Sequence, residues 1–427
     1  MDHAAKLRAM AAIVAWIGLL ACVYGIAEDP QSQWDFRTYY QAVHSLAAGG
    51  TPYGPIHPHS ALTGEGGFQY PPLTLFLFQW TLLFSLAGAK LIWLGAKLAA
   101  VGMLAWIWRR DFERVNAGWL VALFIALGFN AAVLRDLVSG NISTFEQLGL
   151  WFAFGLLVRE RPYAAATVLA CVAQFKLLPI AFLALIPLVR PRDGWKSFVA
   201  GGAVFSGLLM LNLEWSATLT HQYLSLFAND NLHMDERGII NPSSLSLFRD
   251  VLDLTSYAPG LPYNRVSGTI AYGIYLGMLG LMVSWVWLNR RAALRQAEPR
   301  LLVYLGCALF AIGMPRMKDY SYILMLVPAL FVFRDLTRRE IRTDYLLIGA
   351  GLMVFAQPQQ TNIPGLTAFI YMLQAYLPLF MAGAVLVYVL GALERAAVAS
   401  PDAGRRVSVP LGLPIAPPAH GAAARAP

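Results

Sequence analysis

The chain has 427 residues, of which 58% are hydrophobic and 13% are charged, with a net charge of +8. Soluble globular proteins carry about 25% charged residues, so this composition excludes an ordinary soluble domain and predicts a membrane protein. The positive charge does not indicate a nucleic-acid partner, because the basic residues stand in short loops between apolar runs. The three cysteines lie within apolar runs and show no disulfide or metal spacing.

Several apolar runs approach the ~20 residues that cross a bilayer as a helix. The clearest runs cover residues 10–26, 117–134, 142–158, 267–288 and 367–393. The first run is too long, and too poorly followed by small residues, for a removable signal peptide, so we interpret it as an anchor helix. The sequence therefore predicts an all-α polytopic membrane protein.

Lysine and arginine are concentrated in loops that we place in the cytoplasm, as the distribution of positive charge in membrane proteins requires. These loops cover residues 109–114, 159–161, 190–196, 290–295, 334–342 and 405–406. With the basic N-terminus also inside, residues 27–70 and 214–267 become long extracytoplasmic loops. About twelve transmembrane helices follow from this arrangement.

The same reading divides the chain into a membrane domain over residues 1–399 and a tail over residues 400–427. The tail is rich in proline and alanine and has no apolar periodicity. We expect it to be a disordered cytoplasmic segment.

In the first outer loop, the apolar residues Phe36, Tyr40, Val43 and Ala47 recur at helical spacing, flanked by Tyr39 and Leu46. The run ends at Gly49-Gly50, a common helix stop. This pattern predicts a juxtamembrane amphipathic helix on the outer face of the membrane. Asp35 would stand at the N-terminus of that helix, where a carboxylate can cap exposed N–H groups. Capping and a functional role are both open for Asp35 at this point.

Two apolar segments do not fit a simple count of crossings. Residues 71–108 are too long for one helix but must cross an odd number of times, so we expect a re-entrant or interfacial piece up to about residue 86. Residues 163–189 must cross an even number of times, which predicts two short helices that break near Lys176 and Pro179. In the alternative, the first segment crosses twice and the second once, which places the arginines of 109–110 and 159–161 outside.

Lys176 lies among apolar residues. A cation in such a place usually marks an anionic ligand or an ion partner, and the alternative is a side chain that reaches the interface. Upstream, Arg135, Asp136 and Asn141 share a turn, which indicates either a polar site or a local Arg–Asp pair with a capping amide.

The outer turn 315–320 contains Arg316, Lys318, Asp319 and Tyr320. Outer loops usually have few lysines and arginines, so these cations need an anion, and phosphate suits both side chains. Asn241, before Ser243-Ser244, offers further donors, although a helix cap explains it equally well. No spacing indicates a metal site, and we expect neither metal nor cofactor.

Taken in chain order, these stretches resemble glycosyltransferase family 87. The resembling residues are Asp35-Phe36, Tyr39-Tyr40, Gly50-Thr51-Pro52-Tyr53, Tyr70-Pro71-Pro72-Leu73, Gly140-Asn141, Lys176 with Pro179, Asn241 with Ser243-Ser244, and the segment from Pro315 to Tyr320. They extend over about residues 10–335. Each stretch is short, and their order and spacing make the match specific.

The resemblance implies a GT-C fold, a multi-helix membrane glycosyltransferase whose site faces the periplasm or cell exterior from the inner (plasma) membrane. It implies a hexose, mannose in the family, transferred with inversion from polyprenyl phosphate to a glycolipid or glycan acceptor, without a metal. Asp35 matches the catalytic acid of the family and would be the general base. Lys176 matches the family lysine and would stabilise the leaving phosphate, assisted by Arg316 or Lys318.

Further substrate-binding positions follow from the same stretches. They are Tyr39, Tyr40, Tyr53, Tyr70, Arg135, Asn141, Asn241, Asp319 and Tyr320, and the first two would shape the groove. The chain departs from the family in having Asn141 where a glutamine is usual. Two other functions stay open: a transporter or flippase for a lipid-linked or small anionic substrate, and a scaffold without chemistry. Transporters commonly show repeated halves, and no repeat is visible in this sequence.

Overall fold

The computed structural model describes residues 3–53, 68–112, 118–229, 238–255, 265–338 and 364–398. All regular structure in these ranges is helical, as the composition predicts. Five helices are long and apolar enough to cross a membrane, and the chain is a multi-pass membrane protein. They are Leu86–Phe112, Val121–Ser139, Gly194–Trp215, Ser267–Arg290 and Leu377–Ala396. Six shorter apolar helices accompany them in the described ranges, so a total of about twelve crossings remains a prediction. The proposed tail, residues 400–427, lies outside the described residues.

The first part of the chain alternates long helices with short, tightly wound ones. In order, it contains α1 (His3–Glu28), α2 (Trp34–Ala47), a 3-10 helix (Pro72–Leu83), α3 (Leu86–Ile107) continued by a π-helical turn (Trp108–Phe112), α4 (Gly118–Ser139), α5 (Ser143–Val158), α6 (Pro162–Val172), a second 3-10 helix (Leu178–Ala184) and α7 (Leu185–Val189).

The second part begins with the long helix α8 and closes with a helical pair. It contains α8 (Gly194–Trp215), α9 (Ala217–Asn229), α10 (Ser244–Thr255), α11 (Arg265–Gln296), α12 (Pro299–Gly313), a third 3-10 helix (Asp319–Met325), α13 (Leu326–Arg338), α14 (Pro364–Ala375) and α15 (Leu377–Val398). Helix α11 leaves apolar side chains such as Ile274, Leu281 and Leu288 exposed, which suits a surface in contact with lipid.

The two segments that resist a simple crossing count are both divided in the structure. The first breaks after Leu83, where Phe84 is extended and the Ser85 hydroxyl accepts a hydrogen bond from the Gly88 N–H at 3.3 Å. The second breaks between Val172 and Leu178, and Lys176 lies in that break. The positions of the breaks agree with the prediction, and the number of crossings in each segment is still an expectation.

Helix α2 follows the first anchor helix and covers a predicted helical stretch. Its buried face contains Phe36, Tyr39, Ala42 and Val43. These side chains belong to an aromatic cluster that also includes residues of the first 3-10 helix and of α3. The face that the sequence assigns to lipid is thus packed on protein, and a place for α2 on the membrane surface remains a prediction.

Two hydrophobic cores meet near the start of α5. The larger core surrounds α4, α5, α12 and the third 3-10 helix. The smaller core is the aromatic cluster under α2, and it includes Ile142. The turn between α4 and α5, residues 139–143, therefore lies where the two cores join, and polar side chains gather there.

Candidate functional site

Asp35 is fixed to the turn between α4 and α5 rather than to its own helix. Its Oδ2 accepts a hydrogen bond from Nδ2 of Asn141 at 2.7 Å, across 106 positions of the chain. Asp35 lies in the first turn of α2, and the N-cap residue Gln33 makes no side-chain cap bond. Within the described ranges, the Asn141 bond is the one hydrogen bond of the Asp35 carboxylate. Capping does not account for Asp35.

The turn that supplies Asn141 requires glycine at position 140. Gly140 has a φ of +70°, and a Cβ there would lie 2.8 Å from Cβ of Gln33 and 3.0 Å from Cβ of Phe36. The Gly140 carbonyl accepts a bond from Nε1 of Trp93 at 2.9 Å. The N–H of Gln33 donates to the Val138 carbonyl at 2.6 Å. This close approach brings the start of α2 within reach of Asn141.

A fully buried ion pair between Lys97 and Asp136 also binds the turn that contains Asn141. Nζ of Lys97 lies 2.7 Å from Oδ2 of Asp136, and neither side chain is exposed to solvent. Lys97 also donates to the Asn141 carbonyl at 2.6 Å. Asp136 in turn accepts bonds from the N–H and the hydroxyl of Thr144. Lys97 was not among the predicted site residues, although a lysine in the middle of an apolar run is itself a signal.

Replacing Lys97 with methionine is expected to destabilise the protein by about 3–5 kcal/mol, because it leaves the Asp136 carboxylate buried without its cation. The melting temperature of the purified protein in detergent measures the effect. The double variant K97M/D136N should recover part of the loss. A K97M melting temperature equal to that of a variant at the exposed Lys196 would contradict the role of the pair.

Lys176 is joined to Asp35 by a continuous series of hydrogen bonds. Nζ of Lys176 donates to the Ser143 hydroxyl at 2.6 Å. That hydroxyl donates to Oδ1 of Asn141 at 2.8 Å, and Nδ2 of Asn141 binds Asp35. Nζ also lies 2.8 Å from Oε2 of Glu146. Ser143 and Glu146 were not among the predicted site residues.

The turn 315–320 also approaches Lys176, through the ring of Tyr320. Nζ of Lys176 is 5.5 Å from the ring centroid of Tyr320, and Nζ of Lys318 is 5.9 Å from the same centroid. Both distances suit cation–π contact. Tyr320 is therefore close to two of the predicted cations, and Arg316 is near enough to affect its pKa.

Arg135 pairs with the turn 315–320 instead of with its neighbour in sequence. Its Nη1 lies 2.6 Å from Oδ2 of Asp319, and its Nε donates to the Asn130 carbonyl at 3.1 Å. The local pair between Arg135 and Asp136, one of the two sequence interpretations, is wrong, because Asp136 binds Lys97. Arg135 and Asp319 thus connect the α4 end to the turn that contains Lys318.

Asn241 binds the backbone of the turn 315–320. It is buried, its Oδ1 accepts from the Met317 N–H at 2.9 Å, and its Nδ2 donates to the Ser246 hydroxyl at 3.0 Å. The neighbouring Ser243 hydroxyl donates to the Pro315 carbonyl at 2.7 Å. These contacts assign Asn241 to holding residues 315–317 in place.

Four of the five predicted tyrosines separate into two groups, and the fifth is Tyr320. The hydroxyls of Tyr39 and Tyr70 are 2.9 Å apart, and Tyr53 donates to the Tyr70 carbonyl at 2.9 Å. These three line the aromatic cluster beside Asp35. Tyr40 stacks on His44 with centroids 4.0 Å apart and donates to the Phe84 carbonyl at 3.1 Å, so it is directed to the end of the first 3-10 helix.

The pKa values of Asp35 and Lys176 are both raised, but for different reasons. Burial raises the pKa of the Asp35 carboxyl above its ordinary value, against the opposing effects of Lys318 and of the Asn141 hydrogen bond. Burial acts to lower the pKa of Lys176, but Glu146 and Tyr70 outweigh it and the net pKa is raised. A carboxylate with a raised pKa suits proton abstraction near neutral pH, and a lysine held in the charged form suits an anion.

A protein-family model matches the chain. The model of glycosyltransferase family 87 matches residues 68–315, more than half of the chain. The matched range contains Asn141, Glu146 and Lys176, begins after Asp35 and ends before Lys318. No curated protein matches the chain.

Proposed function

The chain belongs to glycosyltransferase family 87, and from this premise we propose that it moves a hexose, mannose in the first instance, from a polyprenyl-phosphate-linked donor to a lipid or glycan acceptor. As a membrane glycosyltransferase it uses a sugar donor and an acceptor. The proposal places the site on the extracytoplasmic face of the inner membrane, with Asp35 as general base and Lys176 at the donor phosphate.

One observation carries the proposal: a carboxylate and a cation meet in a single hydrogen-bond series. Asp35, Asn141, Ser143 and Lys176 are joined by three bonds of 2.6–2.8 Å. A transferase of this kind needs a base for the acceptor hydroxyl and a positive charge for the leaving group. The series holds the two at a fixed separation.

The chemistry assigned to the site is a single displacement. The acceptor hydroxyl gives its proton to Asp35 while its oxygen attacks the anomeric carbon of the sugar. The bond between that carbon and the phosphate oxygen breaks, and the lipid phosphate leaves with the electron pair. Lys176 and Lys318, which both lie near the Tyr320 ring, stabilise the charge that develops on the leaving oxygen. Attack opposite the leaving group inverts the configuration.

A lipid-linked donor follows from the location assigned to the site. Water-soluble nucleotide sugars are made in the cytoplasm and are not expected outside the membrane, so an outer-face transferase needs a donor that the membrane itself carries. The exposed apolar helices of the fold give such a donor a lateral approach through the bilayer.

Mass spectrometry of the envelope lipids and glycans of a deletion strain tests the proposal. We expect an acceptor lacking one hexose to accumulate, and the wild-type gene to restore the full-length product. A gene carrying Asp35→Asn should not restore it. An unchanged lipid and glycan profile in the deletion strain would contradict a transferase function, and full restoration by the Asn variant would contradict the role of Asp35.

A further inference from the structure

The carboxylate of Glu146 lies close enough to Lys176 to repel an anion bound to that lysine. Glu146 lies in the first turn of α5, its side chain is 7% exposed, and its Oε2 is 2.8 Å from Nζ of Lys176. Lys176 is 28% exposed, and its ammonium also lies 5.5 Å from the ring centroid of Tyr320. The cation therefore carries a built-in counter-ion before any substrate arrives.

A helix N-terminus explains why a carboxylate is tolerated at position 146, but it does not explain the contact with Lys176. Without Glu146 the lysine would be a stronger phosphate ligand. With Glu146 present, a phosphate on Lys176 shares one ammonium with a second anion. Two anions on one ammonium lie about 5–6 Å apart, where like charges repel appreciably at the low effective dielectric of a buried site.

The donor and the product of the proposed reaction differ in charge. A sugar linked to polyprenyl phosphate is a phosphodiester and carries one negative charge. The released lipid phosphate is a monoester and carries about −1.5 to −2 at pH 7, since its second pKa is near 6. Repulsion from Glu146 therefore acts more strongly on the product than on the donor.

We propose that Glu146 sets the charge specificity of the phosphate site, so that a monoanionic phosphodiester is bound in preference to a dianionic lipid phosphate and the product is released. The inference rests on the proposed function, since it takes Lys176 as the phosphate ligand. The other carboxylates of the described residues do not contact Lys176 directly. Asp136 is paired with Lys97 and Asp319 with Arg135, and Asp35 is joined to Lys176 only through Asn141 and Ser143. Glu146 touches Lys176 directly and is a specificity-determining residue.

Binding of two simple probes to the purified full-length protein tests the inference. The probes are dodecyl phosphate, a monoester, and methyl dodecyl phosphate, a diester, both measured by calorimetry at pH 8 and pH 5. In Glu146→Gln we expect dodecyl phosphate to bind roughly tenfold more tightly than in the wild type at pH 8, and the diester to gain clearly less. At pH 5, where both probes carry about one charge, the two gains should be equal.

A matched control exists just beyond the other end of α5. Glu160 pairs with Arg190 at 2.8 Å, but its side chain is 76% exposed. Glu160→Gln should leave the affinity for both probes unchanged. The control separates the local effect of Glu146 from a general change in the charge of the protein.

The outcomes distinguish this inference from the function on which it rests. Equal or weaker dodecyl phosphate binding in a folded Glu146→Gln variant, with a loss of binding in Lys176→Ala, overturns the role of Glu146 and leaves the donor site intact. Unchanged binding in Lys176→Ala overturns the donor site itself. Should the Gln variant not fold, Glu146→Asp replaces it, because the shorter side chain moves the carboxylate away from Nζ of Lys176. At pH 8 the monoester must then gain more affinity than the diester, and an equal or smaller gain overturns the inference.

Discussion

Replacement of Asp35 by asparagine is expected to lower the rate of sugar transfer by about 10²- to 10⁴-fold, the usual contribution of a general base. Asparagine keeps the size of the side chain and still offers an oxygen to Asn141, which binds Asp35 at 2.7 Å. It does not accept the proton of the acceptor hydroxyl. Initial rates with purified protein measure the effect, and an unchanged melting temperature shows that the fold is kept.

Asp29 provides the matched control for this prediction. It precedes α2, is exposed, and accepts a hydrogen bond from the Gln31 N–H at 2.8 Å. Asp29→Asn should transfer sugar at the wild-type rate. Wild-type turnover in the Asp35 variant would remove the general base from the mechanism, whatever the behaviour of the control.

The rate should also depend on pH in a stated direction. Burial raises the pKa of Asp35, and the base acts only in its ionised form. The wild-type rate at low donor concentration should therefore fall as pH decreases through a value above the ordinary pKa of aspartate.

Replacement of Lys176 by alanine is expected to lower kcat/KM for the donor by about 10- to 100-fold, which corresponds to the loss of a charge-assisted contact worth about 1.5–3 kcal/mol. The acceptor KM should stay close to its wild-type value, because the acceptor meets Asp35 rather than the cation. Steady-state kinetics with one substrate varied at a time separates the two constants. Lys176→Arg, which keeps the charge, should retain a larger share of the activity.

Loss of Lys176 also leaves Glu146 buried beside an empty position, which destabilises the protein independently of catalysis. The double variant K176A/E146Q removes both charges and controls for this effect. It should regain stability and still use the donor poorly. Equal losses in the donor and acceptor constants would argue against a contact between Lys176 and phosphate.

Local sequence signals located the breaks and the main polar residues. Lys176 and Pro179 mark the second break, which the structure places between Val172 and Leu178. Pro71-Pro72 instead marks the start of the first 3-10 helix, which begins at Pro72. Lys176 indicates a polar site because a cation among apolar residues is costly without an anionic partner. The helical spacing from Phe36 to Ala47 and the glycines after it predict a helix, and α2 covers this stretch. Each of these signals acts over a few residues.

Ion pairs between residues on different helices could not be predicted from the sequence in this way. Arg135 and Asp136 are adjacent in sequence, but neighbours on a helix point in different directions. Arg135 accordingly pairs with Asp319 and Asp136 with Lys97. Glu146 was overlooked because its partner, Lys176, lies beyond the end of the following helix. Spacing along one chain does not show which helix faces will meet.

In the proposed reaction, one site transfers a sugar from a lipid phosphate to an acceptor with inversion. The most direct measurement uses purified protein in liposomes, labelled polyprenyl-phosphate mannose, and a lipid extract from the deletion strain as the source of acceptor. The account predicts label in a new glycolipid or glycan whose anomeric configuration is opposite to that of the donor, release of polyprenyl phosphate in equal amount, and neither product with Asp35→Asn. Label that crosses the bilayer without being transferred, or transfer that requires a nucleotide sugar, would contradict it.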